Sequence, residues 1–180
     1  IRPTTIPQTL DDLIIEQAIS REALRLAFIH HKSLAVGLRG VHKQRTIGDT
    51  FEQTGSGESY IDLMDLGLLI GSGGVLSHAP RRAQSAMMML DAFQPEGLTM
   101  LAVDSIFMMP QLGILSTVHP KASMQVFDRD CLIKLGSSIS AAGPSGTAKP
   151  GDPCLKVQLE IDGNEVVEEV PYGKLKLIPL

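Results

Sequence analysis

The sequence predicts an α/β fold, a parallel strand–helix–strand unit followed by a small β module. Three observations carry that expectation. Leu66-Gly67-Leu68-Leu69-Ile70 is a near-continuous apolar run of strand length, and the glycine turn Gly71-Ser72-Gly73-Gly74 follows it. Such a run is the pattern of a strand buried on both faces. A second apolar run, Leu98 to Val103, ends at Asp104 after a helical stretch from about Pro80 to Phe93. That order is a parallel crossover unit. Further on, Leu155, Val157, Leu159 and Ile161 alternate with polar residues and end at Asp162-Gly163, a hairpin signal. The expected division is an α/β lobe over residues 1–128 and a β module over 129–180.

Taken in order, residues 1–9 read as an extended lead-in, with Pro3 and Pro7. Asp11 and Asp12 suit the first turn of a short helix reaching about Ala18. Ser20 then reads as the N-cap of a second helix to about Ala35, with Glu22 in its first turn. Ala23, Leu26, Ala27, His30 and Leu34 fall on one face, widened by Leu24, Phe28 and Ala35. Gly37 and Gly40 end it. Residues 37–59 are rich in Gly, Ser, Thr and charge, with a local basic run of Arg39, His42, Lys43 and Arg45 and a turn at Gly55-Ser56-Gly57. They read as a solvated loop. Asp62 and Asp65, just before the first strand, read as capping or water-facing groups.

After the glycine turn, Ser77 reads as an N-cap and Pro80 as a first-turn proline. Ala83, Ala86, Met87 and Leu90 form the expected buried stripe, and Met87-Met88-Met89 reads as core filling. Arg81 and Arg82 lie in the first turn, where the dipole disfavours a cation and solvent screening is the expected relief. Gln94-Pro95-Glu96-Gly97 stops the helix. Pro110 to about Thr117 reads as helical, with Leu112 and Leu115 inward, and Pro120 opens another helix to about Phe127. The β module holds strands at Cys131–Gly136, Ser137–Ser140, Val166–Pro171 and Leu175–Ile178. Gly143-Pro144-Ser145-Gly146 and Lys149-Pro150-Gly151-Asp152-Pro153 are turns.

Composition narrows the function classes. The chain has 180 residues, 43% hydrophobic, and a net charge of −4. No basic patch of the kind nucleic-acid binders carry is evident. No apolar run approaches the roughly 18 residues that cross a bilayer, and residues 1–20 lack the basic start and apolar run of a secretory leader. Cys131 and Cys154 have no metal-ligand spacing and read as free thiols of a reducing cytoplasm. Because residue 1 is isoleucine, the chain reads as a piece of a longer protein. His30 and His31, with His42 nearby, invite a metal reading, but adjacent helical residues point about 100° apart. Packed or solvated histidines are expected, and no metal.

The glycine turn carries the chemistry. Glycines admit backbone angles closed to other residues and let a ligand approach the main chain. Strand, glycines and a helix N-terminus together seat a phosphate. The spacing is neither G-x-G-x-x-G nor G-x-x-x-x-G-K-[ST]. Two readings stay open, a ligand seat and a tight corner. Asp104 also falls at a strand's carboxyl end, where ligands of such sheets gather.

The stretch Ile70-Gly71-Ser72-Gly73-Gly74-Val75-Leu76-Ser77-His78 resembles the strand–GTGGVLAH segment of the accessory proteins of cobalamin-dependent glutamate mutase, often called MutL and unrelated to the mismatch-repair proteins of that name. Leu90-Asp91-Ala92-Phe93-Gln94-Pro95-Glu96-Gly97, Leu101-Ala102-Val103-Asp104, Leu112-Gly113-Ile114-Leu115 and the closing Gly173 to Leu180 are similar to it too. The family belongs to the superfamily of actin, heat-shock chaperones and sugar kinases. The resemblance therefore implies a ribonuclease-H-like, actin-like second lobe. Gly71, Gly73, Gly74 and Pro80 match that superfamily's adenosine motif. By the resemblance, Gly71, Ser72, Gly73, Gly74 and Ser77 bind ATP or ADP with Mg, contributed only in part by this chain.

The superfamily's first phosphate motif, an Asp-Gly-Gly or Asp-x-Gly-[ST] hairpin, is missing from these residues, since Gly55-Ser56-Gly57 follows Thr54. No catalytic residue is assigned, and ATP hydrolysis is expected only in a longer chain. The implied function is a nucleotide-binding lobe of an ATP-dependent reactivating chaperone in the cytoplasm. Its partners would be a cobalamin-dependent mutase subunit and an N-terminal ATPase lobe of the same protein. The alternative is an interaction module without nucleotide, docking a partner through the β module and the methionine-bearing helix. An enzyme working through Asp104 or His78 is a third, weaker reading.

Overall fold

A computed structural model describes residues 6–35, 60–142, 148–161 and 163–179. The basic run Arg39–Arg45, the glycines at 37, 40, 55 and 57, His42, the turn at 143–146 and Asp162 lie outside them.

One helix, α1 (Leu10–Leu34), replaces the two expected near the N-terminus. Thr9 is its N-cap: Thr9 Oγ1 accepts from Asp12 N at 3.1 Å, and Asp12 Oδ2 accepts from Thr9 N at 3.2 Å. This reciprocal box starts the helix. Ser20, read as a second N-cap, lies mid-helix, and nothing around it breaks the turn. The packed face is also rotated from expectation. Leu24 and Phe28 turn inward, while Leu26 and Leu34 are exposed. Phe28 meets Phe93 edge-on, centroids 5.2 Å apart, and Arg21 pairs with Asp91 at 2.9 Å. The partner helix selects this face, because α1 has aliphatic residues on both sides and its own pattern does not choose.

Tyr60 N donates to Ala35 O at 2.9 Å, so the two described segments flanking residues 36–59 meet. Asp62 accepts from Met64 N at 2.9 Å, a local cap as its sequence implied. Then β1 (Leu68–Gly71), α2 (Gly74–Ser77), α3 (Arg82–Phe93) and β2 (Gly97–Asp104) follow. β1 and β2 are parallel, with Leu68 opposite Met100 and Gly71 opposite Val103. The expected strand–helix–strand unit is present, and the chain is α/β.

The sheet order is β1-β2-β3, with β3 (Leu132–Ser140) antiparallel to β2. The strand buried on both faces is thus β2, whose Leu101, Ala102, Val103 and Asp104 are all buried. β1 lies at an edge of this sheet among the described residues, with Leu68 exposed and only Gly71 buried. Its apolar run did not reveal that. The pairing puts β3 in the first sheet, not in the small β module to which its sequence assigned it. Nor is it two strands: at Gly136 (φ 135) the register slips between Leu101 and Ala102, a bulge rather than a break.

On one face of the sheet, Leu76, Met88, Met89, Leu101 and Val103 make the core. Met88 and Met89 do fill it. The α3 stripe is Ser85, Met88, Met89 and Ala92; Ala83 and Met87, expected inside, are exposed. Gln94 ends α3 in the left-handed region (φ 45), as the Gln94–Gly97 stop predicted. Helices α4 (Met109–Ser116) and α5 (Pro120–Val126) follow, with Leu112 buried and Leu115 half-buried. A π-helical turn (Phe127–Cys131) leads into β3. The expected hairpin exists as β4 (Pro153–Ile161) and β5 (Asn164–Pro171), Ile161 facing Asn164 across the turn. Leu175–Ile178, expected as a strand, has no regular structure; Leu177 is 88% exposed.

Candidate functional site

The site grows from the carboxyl ends of the two parallel strands. Gly71 closes β1, and any side chain there would have to displace two core side chains. A Cβ there would stand 2.9 Å from Met89 Sδ and 3.0 Å from Leu76 Cδ1. Gly73 has φ 102, a left-handed value that favours glycine. Gly74 has neither constraint. Among the described residues, no atom beyond the chain neighbours and the helix's own backbone lies within 4 Å of a Cβ built at Gly73 or at Gly74, so both face open space.

Gly73, not Ser77, is the N-cap of the first helix after the turn. That helix, α2, is one turn long, closed by Ser77 N and His78 N donating to Gly73 O and Gly74 O at 2.8 and 3.0 Å. Its first amides have no intrahelical carbonyl to pair with. A single turn supplies little macrodipole, so the seat expected from a helix end reduces here to the turn's own amides. The longer helix α3 begins beyond Pro80, with Arg81 as its N-cap.

Ser77 is buried, and its hydroxyl donates to the Asp104 backbone carbonyl. It ties α2 to the end of β2. Arg82 does not depend on screening: its Nη1 donates to Ser77 O at 2.7 Å, capping α2's C-terminal carbonyls. His78 and Arg81 are exposed.

Asp104 is fully buried at the carboxyl end of β2. Its Oδ2 accepts from Met109 N at 2.9 Å and lies 3.4 Å from Ser72 Oγ. Among the described residues, none donates to its Oδ1. The next residue, Ser105, gives its N–H and hydroxyl to Cys131 O at 2.9 and 2.8 Å. Burial, and then the negative charges of Asp104 and Asp130, push the Cys131 thiol above the usual thiol range. Phe107 sits at φ 58 in the loop between Asp104 and α4, a left-handed conformation uncommon for a bulky residue.

The structure thus brings Gly71, Ser72, Gly73 and Gly74 into one turn, with Asp104 against it, whereas Ser77 ends α2, buried, with its hydroxyl on the Asp104 carbonyl. Sequence reasoning noted Asp104 at a strand end but left it out of the nucleotide site, because nothing in the residue order shows that its carboxylate turns toward Ser72. Among the described residues, no cluster of three or more His, Cys, Asp or Glu could hold a metal ion. His30 and His31 are both exposed on α1. No helix among these residues is long and apolar enough to cross a membrane.

Fold and site define the class first: an α/β protein whose parallel strand–helix–strand unit presents a glycine turn and a buried aspartate at one edge. The MutL protein family matches residues 1–131, and the chain belongs to that family, the accessory MutL of glutamate mutase. The match ends at Cys131 and leaves β3 and the β4–β5 hairpin outside it. No curated protein and no solved structure gives a match.

Proposed function

We propose that this chain is a nucleotide-binding lobe of an ATP-dependent reactivating chaperone for a cobalamin-dependent mutase, built on an actin-like, ribonuclease-H-like plan. Membership of the accessory family supplies the mutase connection. One observation carries the nucleotide: the turn after β1 leaves open space over Gly73 and Gly74, at the carboxyl end of a parallel strand pair. Ligands of α/β sheets collect there. The residues fit an anionic group. The amides of Gly73 and Gly74 and the Ser72 hydroxyl are donors, and among the described residues no side chain outside the turn comes within 4 Å of a Cβ built on either glycine.

In this reading ATP or ADP, with Mg, supplies the binding energy that a conformational cycle needs. The glycine amides hold phosphate oxygens, Ser72 adds a hydroxyl donor, and Gly71 keeps β1 close to Met89 and Leu76 so that the turn stays in place. Differential affinity of an open and a closed form for the nucleotide then biases the mutase-bound state. An N-terminal lobe of the same protein completes the site, and hydrolysis belongs to that longer assembly.

Titration calorimetry with ATP and Mg²⁺ tests the reading, on this chain and on Gly74→Val. Heat from the wild type and its loss in the variant, at unchanged thermal stability, support it. A wild type that binds neither ATP nor ADP, alone or joined to the N-terminal lobe, overturns it.

The interaction reading is favoured by a different observation from the one first expected. α1 exposes Ile15, Ile19, Leu26 and Ile29 on the side away from α3. An aliphatic stripe of this kind suits a protein partner, and in this reading the partner is the mutase subunit. Capture of the mutase that fails in Ile19→Glu/Leu26→Glu, with no nucleotide bound by the wild type, selects this second reading.

A further inference from the structure

The face of α1 turned away from α3 has a regular spacing. Ile15, Ile19, Glu22, Leu26 and Ile29 follow one another at alternating steps of four and three residues. That is the seam of a two-stranded coiled coil. Its aliphatic members are 54%, 40%, 52% and 51% exposed, so the seam is uncovered. The opposite face, with Arg21, Leu24 and Phe28, already serves the contact with the lobe. α1 therefore carries a second packing face that points out of the molecule.

The charges beside the seam choose the occupant. One flank holds Asp11, Ala18, Arg25 and Lys32 at steps of seven residues, and the other holds Glu16, Ala23 and His30. In a parallel pair of identical helices, Glu22 would face Glu22 and Asp11 would lie beside Glu16, both repulsive. Run antiparallel, with Leu26 of one copy against Ile15 of the other, the helix is complementary to itself. Asp11 then meets Lys32, Arg25 meets Ala18 and Glu16 meets Ala23, so no like charges are opposed. Sliding by one heptad, to set Ile19 on Ile29, would bring Arg25 onto Arg25. Among the described residues Asp11 makes no ion pair, and Lys32 stands only over the Phe28 ring, 5.6 Å from its centroid. Glu22 is already held by Arg25 at 2.6 and 2.8 Å, so covering it strands no charge. A single polar residue in a seam also fixes register. We propose that α1 pairs antiparallel with the α1 of a second copy of this chain, through Ile15, Ile19 and Leu26, with Asp11 of each copy at Lys32 of the other. The dyad falls between Ser20 and Arg21. This inference is independent of the nucleotide reading, and it gives the stripe of the interaction reading to a different occupant.

Sedimentation equilibrium of the 180-residue chain tests it, and a monomer–dimer equilibrium is expected. Ile19→Glu/Leu26→Glu, with unchanged circular dichroism, is expected to raise the dissociation constant about a hundredfold or more. Asp11→Lys, which opposes two cations at each end, is expected to raise it about threefold or more. Asp11 and Lys32 also suit the helix dipole, and the dipole alone would make Asp11→Lys/Lys32→Asp the weakest associator. The pairing instead predicts that this double variant associates more tightly than either single one. In a Cys154→Ser background, chains with Ile15→Cys are expected to form a disulfide with chains carrying Leu26→Cys and not with one another. Self-crosslinking of Ile15→Cys, or a dimer that survives Ile19→Glu/Leu26→Glu, overturns the proposal. So does a chain that stays monomeric; if the same variant then loses capture of the mutase, the stripe belongs to the mutase.

Discussion

The Ser85 hydroxyl, in the first turn of α3, donates to the Leu76 carbonyl of α2 at 2.7 Å, and both residues are buried. This bond holds a one-turn helix on a twelve-residue one. A helix as short as α2 does not persist by itself, so the glycine turn is shaped by α3 as much as by its own sequence. Ser85→Ala leaves the Leu76 carbonyl buried without its donor. A loss of about 1–3 kcal/mol in urea unfolding is expected, with faster amide exchange at Gly74 to Ser77.

The three glycines of the turn separate by cause. Gly71→Ala forces a methyl against Met89 and Leu76 and should cost about 1–3 kcal/mol by overpacking. Gly73→Ala meets open space but keeps a φ of 102, and should cost about 1–3 kcal/mol from backbone strain. Gly74→Ala meets neither and should leave the melting temperature unchanged or slightly raised. Thermal melts of the three variants check the order. A destabilised Gly74→Ala contradicts it.

α1 and α3 are joined by rings and by an ion pair, and the rings should matter more. Phe28 against Phe93 is worth about 0.5–1.5 kcal/mol beyond the area it buries. Arg21 and Asp91 are each more than 40% exposed, and such pairs give about 0.2–1 kcal/mol. Double-mutant cycles should return the larger coupling for Phe28–Phe93, unchanged by added salt. The Arg21–Asp91 coupling should shrink with salt.

The α1 cap is sensitive to acid. The Thr9 hydroxyl, followed by backbone N–H groups, holds the Asp12 carboxyl below its ordinary value. A depressed folded value gives stability that is present above the unfolded value and lost as pH falls through the folded one. Helix signal from α1 should therefore fade on acidification below the usual aspartate range. Thr9→Ala should cost about 1 kcal/mol at neutral pH and flatten that acid dependence, as read by circular dichroism.

The two thiols should react at different rates. Cys154 is exposed, whereas Cys131 is buried and its thiol is pushed up by burial and by Asp104 and Asp130. Native protein should release one fast equivalent with a thiol reagent and a second only on unfolding. The linkage has a definite sign. The unfolded state loses the Cys131 proton first, so stability falls as pH rises above the ordinary thiol value. Cys131→Ser should reduce that alkaline loss.

The apolar periods were legible where one residue set has one partner. Leu98–Val103, the Gln94–Gly97 stop, Leu112 facing inward and the pairing of the strand ending at Ile161 with the one that follows are legible in local chemistry, and the structure has the corresponding strand, helix end, buried contact and β4–β5 hairpin. The glycine turn was legible too, because Gly73 needs an angle that few other residues adopt. Leu26 and Ala83 misled for one reason: α1 and α3 carry small or apolar residues on more than one face, and only a partner decides which face is covered. Ser20 misled for another: a cap-type residue inside an unbroken helix starts nothing.

By itself, then, the sequence determined an α/β unit with glycines between its parallel strands, because strand runs, turn angles and helix stops are local properties of the chain. The tertiary structure alone decided that β2 is the buried strand, that β3 pairs with it, and that the carboxylate of Asp104 turns to Ser72. Those relations join residues roughly thirty to forty positions apart, and the strand ladder together with the packing of α2 and α3 on the sheet brings them together.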